Sequence, residues 1–113
     1  MTATSYIKNI VAAQPIVLND LVDYQEGRVV SRTLAQTPSL SLTIFAFDRE
    51  EGLSSHTAAG DAFVQVLDGE ARVTVGDKEV TVKQGEVVVM PAGIPHALHA
   101  SERFKMLLVV VKG

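Results

Sequence analysis

Cysteine and tryptophan are both absent from this chain of 113 residues. Without cysteine there can be no disulfide framework, no thiolate zinc site and no cysteine nucleophile. Aromatic residues are scarce at 5%, and proline occurs only four times. A basic excess is missing too, since 10 lysines and arginines stand against 13 aspartates and glutamates, for a formal net charge of −3. Nucleic-acid-binding domains normally show a basic face, so no nucleic-acid partner is expected. No apolar run reaches the roughly 18–20 residues of a spanning helix, so no membrane partner is expected either. The first ten residues lack a basic n-region, and the apolar stretch after them is short and broken by Pro15. These features give the expectation of a cytoplasmic protein with no secretory signal.

What is present is a chain able to bury a core, 47% hydrophobic and 20% charged. Its length suits one domain rather than two. Valine fills 17 positions, 12 of them after Asp61. β-Branched side chains suit a pleated, half-buried surface. The patterning agrees, because apolar residues alternate with a period of two and helical periodicity is absent after Gly27. Arg28 to Ala35 reads as a strand broken by Thr37-Pro38-Ser39, and Leu40 to Phe47 as a strand with two distinct faces. Asp48 to Ser55 is polar and reads as a loop, with its acidic start, Asp48-Arg-Glu-Glu51, exposed and solvated. Asp61 to Leu67, Ala71 to Val75, Val80 to Lys83, Glu86 to Met90, Ile94 to Ala100 and Phe104 to Val111 complete the set. Asp68-Gly69 and Gly76-Asp77 supply tight turns between them. Eight or nine short strands punctuated by Gly, Pro and Asp are the pattern of an all-β sandwich or barrel. Ile16 to Tyr24 has room for one short turn of helix.

Only three residues could bring imidazole chemistry: His56, His96 and His99. His56 and His96 each follow a loop, at places where separate strands could bring them together. A half-buried, hydrogen-bonded histidine is the plainer role for each. Ser54-Ser55-His56 puts hydroxyls beside an imidazole, but sequence neighbours rarely align a nucleophile with its base. Arg72 and Arg103 could face an anionic ligand, with outward-facing positions as the plainer reading.

The stretch His56-Thr-Ala-Ala-Gly-Asp-Ala-Phe-Val-Gln-Val-Leu-Asp-Gly69 resembles the first motif of the cupins, and Gly85-Glu-Val-Val-Val-Met-Pro91-Ala-Gly93-Ile-Pro-His96 resembles the second. The second match is complete through its histidine. Fifteen residues, Glu70 to Gln84, separate the two. The chain is thus similar to the small single-domain cupins of the RmlC-like, conserved-barrel type, over about residues 28 to 112. That resemblance implies an all-β double-stranded β-helix, a jelly-roll barrel formed by residues 28–113. Residues 1–27 would be an N-terminal segment packing on the barrel or on a partner subunit.

The resemblance also implies a metal set of three histidines and one glutamate, of which only His56 and His96 carry over. The other motif-one positions fall at Ala58 and Ala62, and the asparagine that often closes motif two falls at Ala100. Two imidazoles are an incomplete set for a divalent metal such as iron, manganese, zinc or nickel. Alternation turns Asp61, Gln65 and His99 away from the site, unless a bulge intervenes. The expectation is therefore a barrel with no resident metal, holding a small-molecule ligand in an interior lined by His56, Ala58, Ala62, Val64, Val66 and His96. A metal-dependent enzyme of dioxygenase or isomerase type, using His56 and His96, is the alternative. The apolar N-terminal segment and the open barrel edge lead to the further expectation of a homodimer.

Overall fold

The alternation in Leu40 to Phe47 sets the architecture, because both of its faces are covered. In the computed structural model, which describes residues 6–113, this segment is the second of nine strands. They are β1 (Val29–Gln36), β2 (Leu40–Phe47), β3 (Gly52–His56), β4 (Asp61–Asp68), β5 (Glu70–Val75), β6 (Lys78–Lys83), β7 (Val87–Met90), β8 (His96–His99) and β9 (Phe104–Val111). One sheet has five strands in the order β1-β2-β9-β4-β7, and the other has four in the order β3-β8-β5-β6. The ladders are antiparallel. From β2 onward the chain crosses between sheets at every connection except the β5–β6 hairpin. That alternation makes the jelly-roll barrel the sequence led us to expect.

Side chains of one parity fill the barrel. Phe47, Val64, Val66, Val73, Met90 and Phe104 are buried at its centre. Phe47 and Phe104 are register partners on β2 and β9, and their rings stack at 4.5 Å between centroids and 11° between planes. Burying each such side chain stabilises the fold by about 1.5–3 kcal/mol, and the ring pair adds about 0.5–1.5 kcal/mol.

The opposite parity of β2, represented by Ile44 and Ala46, packs in a second apolar cluster on the outside of the five-stranded sheet. Its cover is the N-terminal segment, through Ile10, Val22, Tyr24 and a single 3-10 turn at Leu18–Leu21. Polar contacts fasten this strap. Lys8 N donates to Leu34 O at 2.7 Å, Asn9 Nδ2 to Thr33 O at 2.7 Å and Lys105 Nζ to Asn19 O at 2.7 Å. The first five residues of the expected segment 1–27 lie outside the described residues.

Two readings of the sequence need correction. Asp48 to Ser55 is not all loop, since Gly52–His56 forms β3. Alternation could not reveal it, because this edge strand is largely exposed and is defined by backbone pairing to β8. Nor is Asp48 solvated: it is 7% exposed and accepts hydrogen bonds from Gly27 N at 2.6 Å and Arg103 Nε at 2.7 Å. Gly27 N first, then the Arg103 side chain and the Arg49 amide, hold its carboxyl down at about 2.

Candidate functional site

Antiparallel register places His56 opposite His96, His96 opposite Val75, and Val75 opposite Lys78. Cross-strand partners share a face, so His56, His96 and Val75 form one row on the barrel side of the four-stranded sheet. The first link depends on an irregularity. Gly52 pairs with His99 and Leu53 with Leu98, and the register then slips before His56 meets His96. A regular ladder would have set Ser55 there. The extra residue is a β-bulge, a device that re-aims a side chain. Gly52 permits the close approach that starts this pairing, because a Cβ on it would collide with the Leu98 carbonyl oxygen.

The two imidazoles meet edge to face, with ring centroids 4.4 Å apart and planes 69° apart. His96 is buried and His56 exposed, so the pair runs from the interior to the surface. His56 Nδ1 donates to Ser54 O at 2.9 Å, and His96 Nδ1 donates to Ile94 O at 3.2 Å. A carbonyl can only accept, so in the neutral ring each Nε2 is left as a free acceptor. The same contact shows that Ser54 meets His56 through its main chain, not as a nucleophile.

The remaining sequence-derived residues fall into two groups. Ala62, Val64 and Val66 lie in the packed interior, Ala62 opposite Met90. Ala58 stands in the loop after β3, where its carbonyl accepts from Gly93 N at 3.0 Å and ties the two motif loops together. Asp61, Gln65 and His99 turn outward, in keeping with the alternation. Asp61 Oδ1 accepts from Ala92 N at 2.8 Å, Gln65 sits in register with Leu107, and His99 Nε2 lies 3.6 Å from Glu50 Oε2. Arg72 and Arg103 face outward in ion pairs with Glu79 and Asp48, at 2.6 and 2.7 Å.

The donors at the row are therefore two imidazoles. Among the described residues no three His, Cys, Asp or Glu side chains gather where they could hold a metal ion. Protein metal sites of the kinds these donors suit take three or more protein ligands. The residues present do not fit a resident metal.

Beside the row a cleft of about 250 Å³ opens, lined by Val75, Lys78, Val80, Val88, Val89 and Pro91. Val75 belongs to both the row and the cleft, so the imidazoles and the apolar wall adjoin. The cleft residues were not singled out from the sequence, although the alternation Ala71, Val73, Val75 already put Val75 on the inner face. A larger depression of about 510 Å³, near Glu70, Lys83 and Glu102, is open and charged. Small-molecule sites are mostly apolar with a few placed polar groups, which favours the cleft beside the histidines.

A jelly-roll barrel with an imidazole pair at one end of its four-stranded sheet is a cupin-type barrel. The chain belongs to the cupin domain family (Cupin_2), whose sequence profile matches residues 43–112. It is similar to a solved conserved protein of unknown function, SPY1581, from Streptococcus pyogenes, at 44% identity and a TM-score of 0.96, over 99% of this chain and 98% of that one. A cupin superfamily protein from Desulfitobacterium hafniense, DSY2733, matches at 30% identity and a TM-score of 0.91, over 96% and 100% of the two chains. An uncharacterised Streptomyces coelicolor protein, SCO3923, is 35% identical over 72 residues, 63% of this chain and 69% of that one. The family includes both metal-binding enzymes and binding proteins. No helix among the described residues is long and apolar enough to cross a membrane.

Proposed function

We propose that this cupin binds a small, mostly apolar organic molecule at the mouth of the barrel, without a resident metal. The observation that carries the reading is the imidazole pair itself. Both Nδ1 atoms are committed to main-chain carbonyls, which leaves both Nε2 atoms as acceptors, and Val75, the register partner of His96, lines the neighbouring cleft. In the neutral state such a pair accepts hydrogen bonds, so the fitting ligand donates one, as a phenol, an enol or an acidic N–H does. Val75, Val80 and Val88 would take its apolar body, while Ala58 and Ala62 leave room where bulkier side chains would crowd the loop and the upper interior. Val64 and Val66 would form the packed floor beneath it.

A thermal-denaturation screen tests this with small phenols, enolic diketones and cyclic imides as probes. Ligands that bind only the folded state raise the midpoint in proportion to their occupancy. The expected result is stabilisation of the wild type by at least one of these classes, lost in His96→Ala and weakened in His56→Ala. Failure of every class to shift the wild-type midpoint overturns the reading. Elemental analysis of protein prepared without a metal-affinity tag separates it from the metal-enzyme alternative. Stoichiometric metal, lost in both histidine variants, would favour the enzyme.

A further inference from the structure

The register row that carries the imidazoles ends in a charge. His96 stands opposite Val75 and Val75 opposite Lys78, so Lys78 shares their face, two strands away from His96. Along β6, Lys78, Val80 and Val82 have one parity and pass in that order from exposed through half-buried to buried. Glu79, Thr81 and Lys83 have the other parity and face solvent. Lys78 therefore stands at the rim of the barrel in a position of the kind that apolar side chains fill further in. Of the residues that line the cleft of about 250 Å³, it alone is charged.

The backbone fixes where this lysine starts. A two-residue turn, Gly76-Asp77, joins Val75 to Lys78, and Gly76 supplies the positive φ, +61°, that so tight a hairpin needs. Gly76 N donates to Pro95 O at 2.8 Å, which holds the turn against the residue preceding His96. No carboxylate among the described residues forms an ion pair with Lys78. Glu79, its neighbour in the chain, is engaged by Arg72 at 2.6 Å on the outer face, and Asp77 lies in the exposed turn.

We propose that Lys78 receives a carboxylate of the ligand, so that the site takes small hydroxy acids with a hydrogen-bond donor at one end and a single negative charge at the other. The proposal rests on the binding reading given above and names the class of molecule that reading admits. A carboxylate has nothing to donate, so it cannot pair with imidazole nitrogens that accept, and the ligand's orientation follows: hydroxyl toward the histidines, carboxylate toward Lys78. Neighbouring strands lie about 4.8 Å apart, so His96 and Lys78 are rooted about 10 Å from each other across the sheet, and the lysine's flexible stem shortens the span between their tips. A phenolic acid with its two groups at opposite ends of one ring suits that span. One ammonium balances one negative charge, whereas a phosphate dianion would leave a charge unpaired against the valines. The cleft is smaller than the roughly 300–1,000 Å³ of sites for drug-sized ligands, which favours a single ring.

Equilibrium titration of the full chain tests this with acids of increasing length: 4-hydroxybenzoate, 4-hydroxyphenylacetate and 3-(4-hydroxyphenyl)propanoate, each beside its neutral methyl ester. At least one acid is expected to bind about tenfold more tightly than its ester. Lys78→Gln should abolish that preference, and Lys83→Gln, of the outward parity on the same strand, should preserve it. Added salt should weaken the acid and leave the ester unchanged. Lys78 is exposed, so its variant should fold, and circular dichroism checks this. Esters that bind as tightly as the acids, or a preference that survives Lys78→Gln, overturn the role of Lys78 and leave the binding reading standing. Acids that fail to bind at all overturn it as well, and the screen with neutral probes then decides the binding reading separately.

Discussion

His56 stands opposite His96 because β3 gains one residue between Leu53 and His56, not because the strand runs evenly. Gly52 anchors the even part of that ladder at the spot where the Leu98 carbonyl comes closest. Gly52→Ala should therefore push β3 away from β8, at a cost of about 1–3 kcal/mol, the usual range for forcing extra atoms into a packed contact. The histidine pair should part with it. A lowered melting midpoint together with loss of ligand-induced stabilisation is the expected outcome. A variant that melts and binds like the wild type would show that the pairing does not depend on this approach.

Asp48 joins the end of the strap to the barrel through Gly27 N and the Arg103 guanidinium. Those contacts favour the ionised carboxyl, so its pKa in the folded protein is depressed. Its contribution to stability is whole above the ordinary carboxylate value of 3.8 and is lost as the pH falls through about 2. Asp48→Asn should be less stable than the wild type at neutral pH. It should also lose part of the stability change that the wild type shows across that acid window. Denaturant midpoints measured at several pH values would check this, and parallel acid profiles would count against it.

Tyr24 lies between Arg103 and Lys105, whose cationic groups sit 5.3 and 5.0 Å from its ring centroid, and its hydroxyl donates to Asp68 Oδ2 at 2.5 Å. Burial, then the hydrogen bond to Asp68 and that carboxylate's charge, raise the phenol well above its ordinary value of 10.0. The stabilisation is fully present below that value and is lost as the pH rises through the higher one of the folded state. In a Tyr6→Phe background Tyr24 is the one remaining phenol. Its ultraviolet titration should be delayed beyond the ordinary range while the protein stays folded. Tyr24→Phe keeps the ring and removes the hydrogen bond, with an expected loss of about 1–2 kcal/mol by denaturant unfolding.

Phe104→Ala removes one ring of the stacked pair from a site with no exposed surface. A cost of about 3–5 kcal/mol is expected, whereas Met106→Leu at a similarly buried position should cost less than about 1.5 kcal/mol. Equal losses in the two variants would mean that the centre of the barrel does not discriminate shape.

Chelation supplies a further check. With two imidazoles as the donors at the row, exhaustive treatment with EDTA should leave the melting midpoint unchanged. A drop that zinc or manganese restores would reveal a ligand set wider than the residues of this site.

Much of the barrel was legible in the sequence because covered strands write their burial into alternation. Leu40 to Phe47 and Phe104 to Val111 match their strands end to end. β3 was not legible, since Gly52, Ser54, Ser55 and His56 stay exposed and nothing in their order marks a face. The histidine pair could be anticipated from the cupin resemblance, but its geometry could not. A one-residue slip in register leaves no trace in composition. The Asp48 tether was hidden for a different reason. Its partners, Gly27 and Arg103, lie 21 and 55 residues away, and a short polar stretch looks solvated until the tertiary fold brings them in.

β9, the ninth of the described strands in chain order, occupies the middle of the five-stranded sheet, between β2 and β4. On a ribosome, then, β2 and β4 must wait for each other until Phe104 to Val111 emerge. Until Val111 is available, the β1–β2 hairpin and the β4–β7 pair are separate half-sheets with open inner edges. Completion of the barrel is thus deferred until β9 has been made. A chain interrupted within β9 would leave exposed edges of the kind that recruit other chains.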